Sequence, residues 1–148
     1  MSRLLVIASG GGHWTQMLRL REAFAGHDVA YVGVKEMYRD DVAPNRFYAV
    51  HDVSRLRKWA IIPTVLKLLL ILFRERPAVV LTTGSAPGML ALRLGKLFGA
   101  RTVWIDSVAN VDHMSMSGEK ARAHADLWLT QWPHLAAEDG PSYVGSVL

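Results

Sequence analysis

Short aliphatic runs alternate along the chain with stretches in which apolar residues recur every three or four positions. The runs at 4–9, 29–34, 47–50, 78–83, 102–106 and 127–131 predict strands. Val79-Val80-Leu81 and Val103-Trp104-Ile105 are apolar at successive positions, as expected of strands buried on both faces of a parallel sheet. Helical periodicity fills the intervals at 13–24, 55–74, 87–98 and 118–124. Strand and helix in repeated alternation predict an α/β fold: a single Rossmann-like, doubly wound parallel sheet over residues 1–148. Right-handed crossovers gather the strand C-termini and their loops on one edge, where such sheets bind ligands. The polar stretch 37–46, with Asp40, Asp41 and Pro44, is expected to be a mobile loop.

Three turns on that edge carry candidate chemistry. Ser9-Gly10-Gly11-Gly12-His13 leaves the first strand and opens the first helix, where free N–H groups and the helix dipole favour an anion. It reads either as such a site or as a tight turn. No Gly-Lys-Ser/Thr follows, so it is not a P-loop, and Thr15 stands where the dinucleotide fingerprint has its third glycine. His13 at the end of the turn is either structural or a general base active near neutrality. The second turn, Thr82 to Gly88, places Gly84 and Ser85 on the same edge, and Thr83 or Ser85 is also suited to capping the next helix. The third begins with Asp106 and Ser107 and continues through Asn110, Ser115, Ser117 and Gly118. A carboxylate there either caps the following turn or works on a substrate hydroxyl.

Composition narrows the chemistry. The 148 residues are 51% hydrophobic and 20% charged and include no cysteine, which excludes disulfides, thiolate-bound metals and a thiol nucleophile. The six histidines lack metal-ligand spacing, and no metal or cofactor is expected. Charge is concentrated: Arg55, Arg57, Lys58, Lys67, Arg74 and Arg76 face one acid, Glu75, so this stretch alone outweighs the net +4 of the chain. These cations bracket an aliphatic run instead of lining a groove, which points to a membrane surface and not to nucleic acid. Residues 59–73 are too few to span a bilayer and are interrupted by Pro63 and Lys67. Ala60, Thr64, Lys67, Ile71 and Arg74 form the one helical stripe with polar content, leaving more apolar circumference than a sheet face covers. The excess is buried in the core, covered by a partner, or sunk into a membrane interface where Arg57, Lys58, Trp59, Arg74 and Arg76 meet anionic head groups.

Gly11-Gly12-His13 with Met17, the glycine turn after Thr83, and Val103 to Ser107 also carry a family likeness. So do Met114-Ser115-Met116-Ser117-Gly118, Ala125-Asp126, Gln131-Trp132-Pro133 and Tyr143-Val144-Gly145. In this order they resemble asparagine-linked glycosylation protein fourteen and its bacterial exopolysaccharide counterparts, over essentially the whole chain. The resemblance implies the N-terminal half of a GT-B glycosyltransferase split over two polypeptides. This chain would be the acceptor-binding, membrane-associated subunit, and a partner chain would supply most of the UDP-sugar site. The sugar would be N-acetylglucosaminyl, glucuronosyl or galactosyl, and the acceptor a lipid-linked glycan. Gly11, Gly12 and His13 would line the interdomain cleft, with His13 or Asp106 taking the acceptor proton. Tyr143, Val144, Val147 and Leu148 would dock the partner.

The family commonly has Glu at Asp106, Arg near Asn110 and Lys at Glu119, so contacts with phosphate are expected to differ here. Its eukaryotic members carry an N-terminal membrane helix, and its lack here points to a bacterial protein held peripherally at the cytoplasmic face of the inner membrane. Two other functions compete: a non-catalytic scaffold for the catalytic partner, and a free-standing nucleotide-binding domain.

Overall fold

The computed structural model describes residues 1–54 and 56–147. All six expected strands form: β1 (Arg3–Ile7), β2 (Asp28–Gly33), β3 (Arg46–Ala49), β4 (Val79–Thr82), β5 (Arg101–Ile105) and β6 (Leu127–Thr130). A seventh, β7 (Ser142–Tyr143), adds to the edge, giving a parallel sheet of order β3-β2-β1-β4-β5-β6-β7. Helices α1 (Gly12–Arg19), α2 (Arg39–Val42), α3 (Ile61–Glu75), α4 (Ser85–Leu97) and α5 (Met116–Ala121) complete the doubly wound layer.

Alternation along β1 divides the core. Leu5 and Ile7 face Leu68 and Leu72 of α3, Leu92 of α4 and Ala121 of α5, while Val6 and Ala8 face Trp14 and Met17 of α1. The order of strands changes direction at β1 and β4, and the loops that leave these two strands open the ligand-binding edge.

Three expected elements differ in detail. The helix at 13–24 ends at Arg19 and continues as a tighter turn, Arg21–Phe24, that buries Phe24. The helix at 55–74 begins only at Ile61, after a tight turn at Lys58–Ala60; Pro63, which lacks an N–H, then sits in its first turn. Arg55 lies outside the described residues. Segment 37–46 is not a loose loop. Tyr38 stacks on Trp14 with ring centroids 4.4 Å apart, Trp14 Nε1 donates to Asp41 at 2.8 Å, and α2 buries Val42.

Helix α3 turns Ala60, Thr64, Leu68, Ile71 and Leu72 inward, so the stripe expected to carry its polar content is partly the buried one. Thr64 meets the core by donating to the His51 carbonyl at 3.2 Å. Outward the helix is apolar: Trp59, Ile62, Leu66, Leu70 and Phe73 are 62–67% exposed in a continuous stripe. It is therefore not a core helix buried on all sides. Its C-terminal end is clamped by the buried Glu75, which accepts hydrogen bonds from Arg46 (2.9–3.1 Å) and the Tyr48 hydroxyl (2.5 Å). Among the described residues no helix is long and apolar enough to cross a membrane.

Candidate functional site

His13 is the second residue of α1, behind a turn in which Gly11 adopts φ 63°. Its Nδ1 lies 3.0 Å from the Thr83 carbonyl oxygen. A carbonyl only accepts, so Nδ1 donates, and in the neutral ring Nε2 keeps its lone pair. Thr83 closes the reciprocal contact by donating its hydroxyl to the His13 carbonyl at 2.7 Å. The imidazole lies over Gly84, where a Cβ would stand 2.7 Å from ring atoms and where φ is 134°. Only glycine allows both the backbone conformation and the approach of the ring.

Neither Thr83 nor Ser85 caps α4, whose N-terminus has no side-chain cap. Ser85 instead adopts φ 75°, and its buried Oγ has no hydrogen-bond partner. Such strain at a cleft is a feature of functional positions.

Asp106 is 2% exposed at the end of β5 and is a hub. Its Oδ1 accepts from Trp104 Nε1 (3.0 Å) and the Ser115 hydroxyl (2.6 Å), and its Oδ2 from Asn110 Nδ2 (3.1 Å) and the Ser115 amide (2.9 Å). Ser115 Oγ also accepts from the Gly118 amide at 2.9 Å and so caps α5. A Cβ on Gly118 would fall 2.7 Å from Asp106 Oδ1, so this glycine packs against the hub and does not line the cleft. The carboxylate thus reaches forward to Asn110 and Ser115, while the turn directly after β5 is capped by Ser107, whose Oγ accepts from the Ala109 amide at 3.2 Å.

A cleft of about 290 Å³ is lined by His13, Ser85, Ser107, Asn110, Ser115 and Ser117, with Ala109 and Met116. The exposed Gly11 and Gly12 stand outside this lining, and Gly84 lies beneath His13. A second pocket of about 340 Å³ shares Ser85, Met116 and Ser117 and extends to Val53, Ser54, Met89 and Lys120. Among the described residues no cluster of three or more His, Asp or Glu is arranged to hold a metal.

Sequence reasoning missed the Thr83 carbonyl and Gln16, and read Gln131 only as part of the family likeness. Gln16 and Gln131 are buried, and both donate to the Asp106 carbonyl, at 3.2 and 3.1 Å. For Gln16 the sole signal was an amide among the apolar positions of the first helix.

Of the residues expected outside the cleft, Arg57, Lys58, Arg74 and Arg76 are exposed around the α3 stripe. Tyr143 belongs to β7, and Val144 and Val147 line a separate groove of about 270 Å³ with Leu20, Ile105 and Leu129. Leu148 lies outside the described residues.

A parallel doubly wound sheet with a glycine turn, an imidazole and a hydroxyl-lined cleft at its strand C-termini defines a Rossmann-type α/β domain. Residues 45–147 match the family described as "Oligosaccharide biosynthesis protein Alg14 like", and the chain belongs to this family. It is similar to the UDP-N-acetylglucosamine transferase subunit ALG14 of Homo sapiens, at 28% identity over 98% of this chain and 82% of that protein. The subunit of the same name from Schizosaccharomyces pombe is 28% identical, covering 97% and 82%. Among solved structures, MurG of Acinetobacter baumannii superposes with a TM-score of 0.79 at 10% identity, over 97% of this chain and 46% of that one. The chain thus spans about half the length of MurG and shares its fold.

Proposed function

We propose that the chain is the membrane-peripheral, acceptor-binding subunit of a heteromeric UDP-sugar glycosyltransferase, and that it recruits a donor-binding partner chain. The names of its relatives support UDP-N-acetylglucosamine as the donor. The observation that carries the reading is the His13–Thr83 contact, which leaves Nε2 as a proton acceptor at the cleft. An acceptor hydroxyl gives its proton to Nε2 while its oxygen attacks the anomeric carbon, and UDP leaves with inversion. Asp106 is the weaker candidate for base, because four donors already occupy its two oxygens; the reading gives it the task of holding Asn110 and Ser115 in place.

A lipid-linked glycan fits the surroundings. The second pocket leads from Ser85 to Val53 and Ser54, and the chain from there runs on to Trp59 and the apolar stripe of α3. That stripe, with Arg57, Lys58, Arg74 and Arg76 near its ends, supports attachment to an anionic bilayer surface. The apolar groove beside Val144 and Val147 supports partner docking through the C-terminal segment.

The test is reconstitution with the co-purified partner, UDP-N-acetylglucosamine and a lipid diphosphate acceptor. His13→Ala is expected to abolish transfer while the chain stays folded. Transfer at the wild-type rate would remove His13 from the mechanism.

A further inference from the structure

The C-terminal segment and the cleft are joined by buried and half-buried hydrogen bonds that the proposed reaction does not use. Gln131, 2% exposed, sits between them. On one side its Oε1 accepts from the Val147 amide at 2.6 Å, and its backbone carbonyl accepts from the Ser146 hydroxyl at 2.6 Å. On the other side its Nε2 donates to the Asp106 carbonyl at 3.1 Å. Gln16 donates to that same carbonyl, and its Oε1 receives the Val108 amide at 3.2 Å. The Asp106 side chain then fixes Asn110 and Ser115, which line the cleft with His13.

We propose that Gln131 is a positioning residue that couples seating of the C-terminal segment to the shape of the cleft loop at 107–115. A buried amide with both ends bonded has a single low-energy placement, because releasing either end leaves a polar group unpaired away from water. Losing the Val147 amide frees Gln131 to rotate, and the Asp106 carbonyl then loses one of its two donors. Gln131 also belongs to the lining of the apolar groove with Leu129, Val144 and Val147, so an occupant of that groove packs on the residues that enclose this side chain. Filling the groove therefore firms the loop beside His13. The inference rests on the proposed reading only for what that occupant is, namely the partner chain.

The experiment is amide hydrogen exchange on the full chain alone, so it is independent of transferase activity and of the partner. Val147→Pro removes the N–H that Gln131 accepts, whereas Val147→Ala keeps it. The proline variant is expected to speed exchange at the Val108 and Ser115 amides roughly tenfold, with the β1 and β2 amides unchanged. The alanine variant is expected to leave all of them at wild-type rates. Gln131→Met reproduces the proline effect, and in Gln131→Met the added Val147→Pro change has no further effect on the loop. Should Gln131→Met fail to fold, the two Val147 variants decide alone. Unchanged loop exchange in Val147→Pro, or equal acceleration in Val147→Ala, overturns the coupling.

Discussion

One contact to a carbonyl decides which nitrogen of His13 carries the proton in the neutral ring, so the residues that hold the ring matter as much as the ring. Gly84 is the most demanding of them. With φ at 134° and an imidazole where a Cβ would stand, Gly84→Ala forces strain and pushes His13 off the Thr83 carbonyl. A loss of about 1–3 kcal/mol is expected in urea unfolding, together with a fall in transfer that exceeds the loss of folded protein. Asp106→Asn tests the hub. An amide cannot accept at both ends, so its NH₂ must face one of two donor pairs that now meet Asp106, the Trp104 indole with the Ser115 hydroxyl or the Asn110 amide with the Ser115 main-chain N–H. The variant is expected to lose about 1–3 kcal/mol, measured by the urea midpoint, because a buried donor is left unpaired.

Helix α3 presents two faces with opposite tasks, and each predicts a different phenotype. Leu66 and Leu70 on its outward face are 62% and 66% exposed, so Leu66→Glu with Leu70→Glu should leave stability within about 0.5 kcal/mol while reducing binding to anionic vesicles. Its anchored end depends on pH. Burial alone would raise the pKa of Glu75, but hydrogen bonds from Arg46 and Tyr48 outweigh it and hold the carboxyl below the ordinary carboxylate range. A depressed folded-state pKa gives stability that is present above the unfolded value of about 4.3 and is lost as pH falls through the folded value. Glu75→Gln should therefore be less stable than wild type at neutral pH, and the gap should close with acidification below about pH 4.3. Parallel unfolding curves across pH would show that Glu75 is not the group responsible. The core strands were legible in the sequence because burial on both faces leaves unbroken apolar runs. β7 was not, since Ser142 and Tyr143 are exposed and owe their pairing to the neighbouring β6. Segment 37–46 misled because its order comes from Tyr38 stacking on a distant Trp14, which no local pattern encodes. The same divide runs through the site. Glycine turns after apolar runs announced the cleft, whereas the Thr83 carbonyl that orients His13 is a backbone atom and leaves no sequence signal.

On the scale of the molecule, the sheet separates the two surfaces assigned to the membrane and the partner. Helices α3, α4 and α5 pack on the face that carries Leu5, Ile7 and Trp104, while α1 packs on the face of Val6 and Ala8. Ile105 follows Trp104 in β5 and so points to the α1 side, where it pairs in register with Leu129 and lines the groove with Val144 and Val147. The α3 stripe and this groove therefore lie on opposite sides of the sheet, and filling one leaves the other free. On the proposed reading such a chain would bridge a bilayer and a second protein, which gives a two-way prediction. The co-purified partner, which by itself should not sediment with anionic vesicles, should do so in the presence of this chain. Val144→Glu, at a residue 76% exposed, should leave this chain on the vesicles and release the partner. Leu66→Glu with Leu70→Glu should leave the two proteins bound to each other and take both off the vesicles. If either change disrupts both contacts, with the melting temperature unchanged, the two surfaces are not independent and the bridging arrangement fails. Separable losses would leave the cleft at the strand C-termini as the place where a membrane-held acceptor meets a donor carried by the partner.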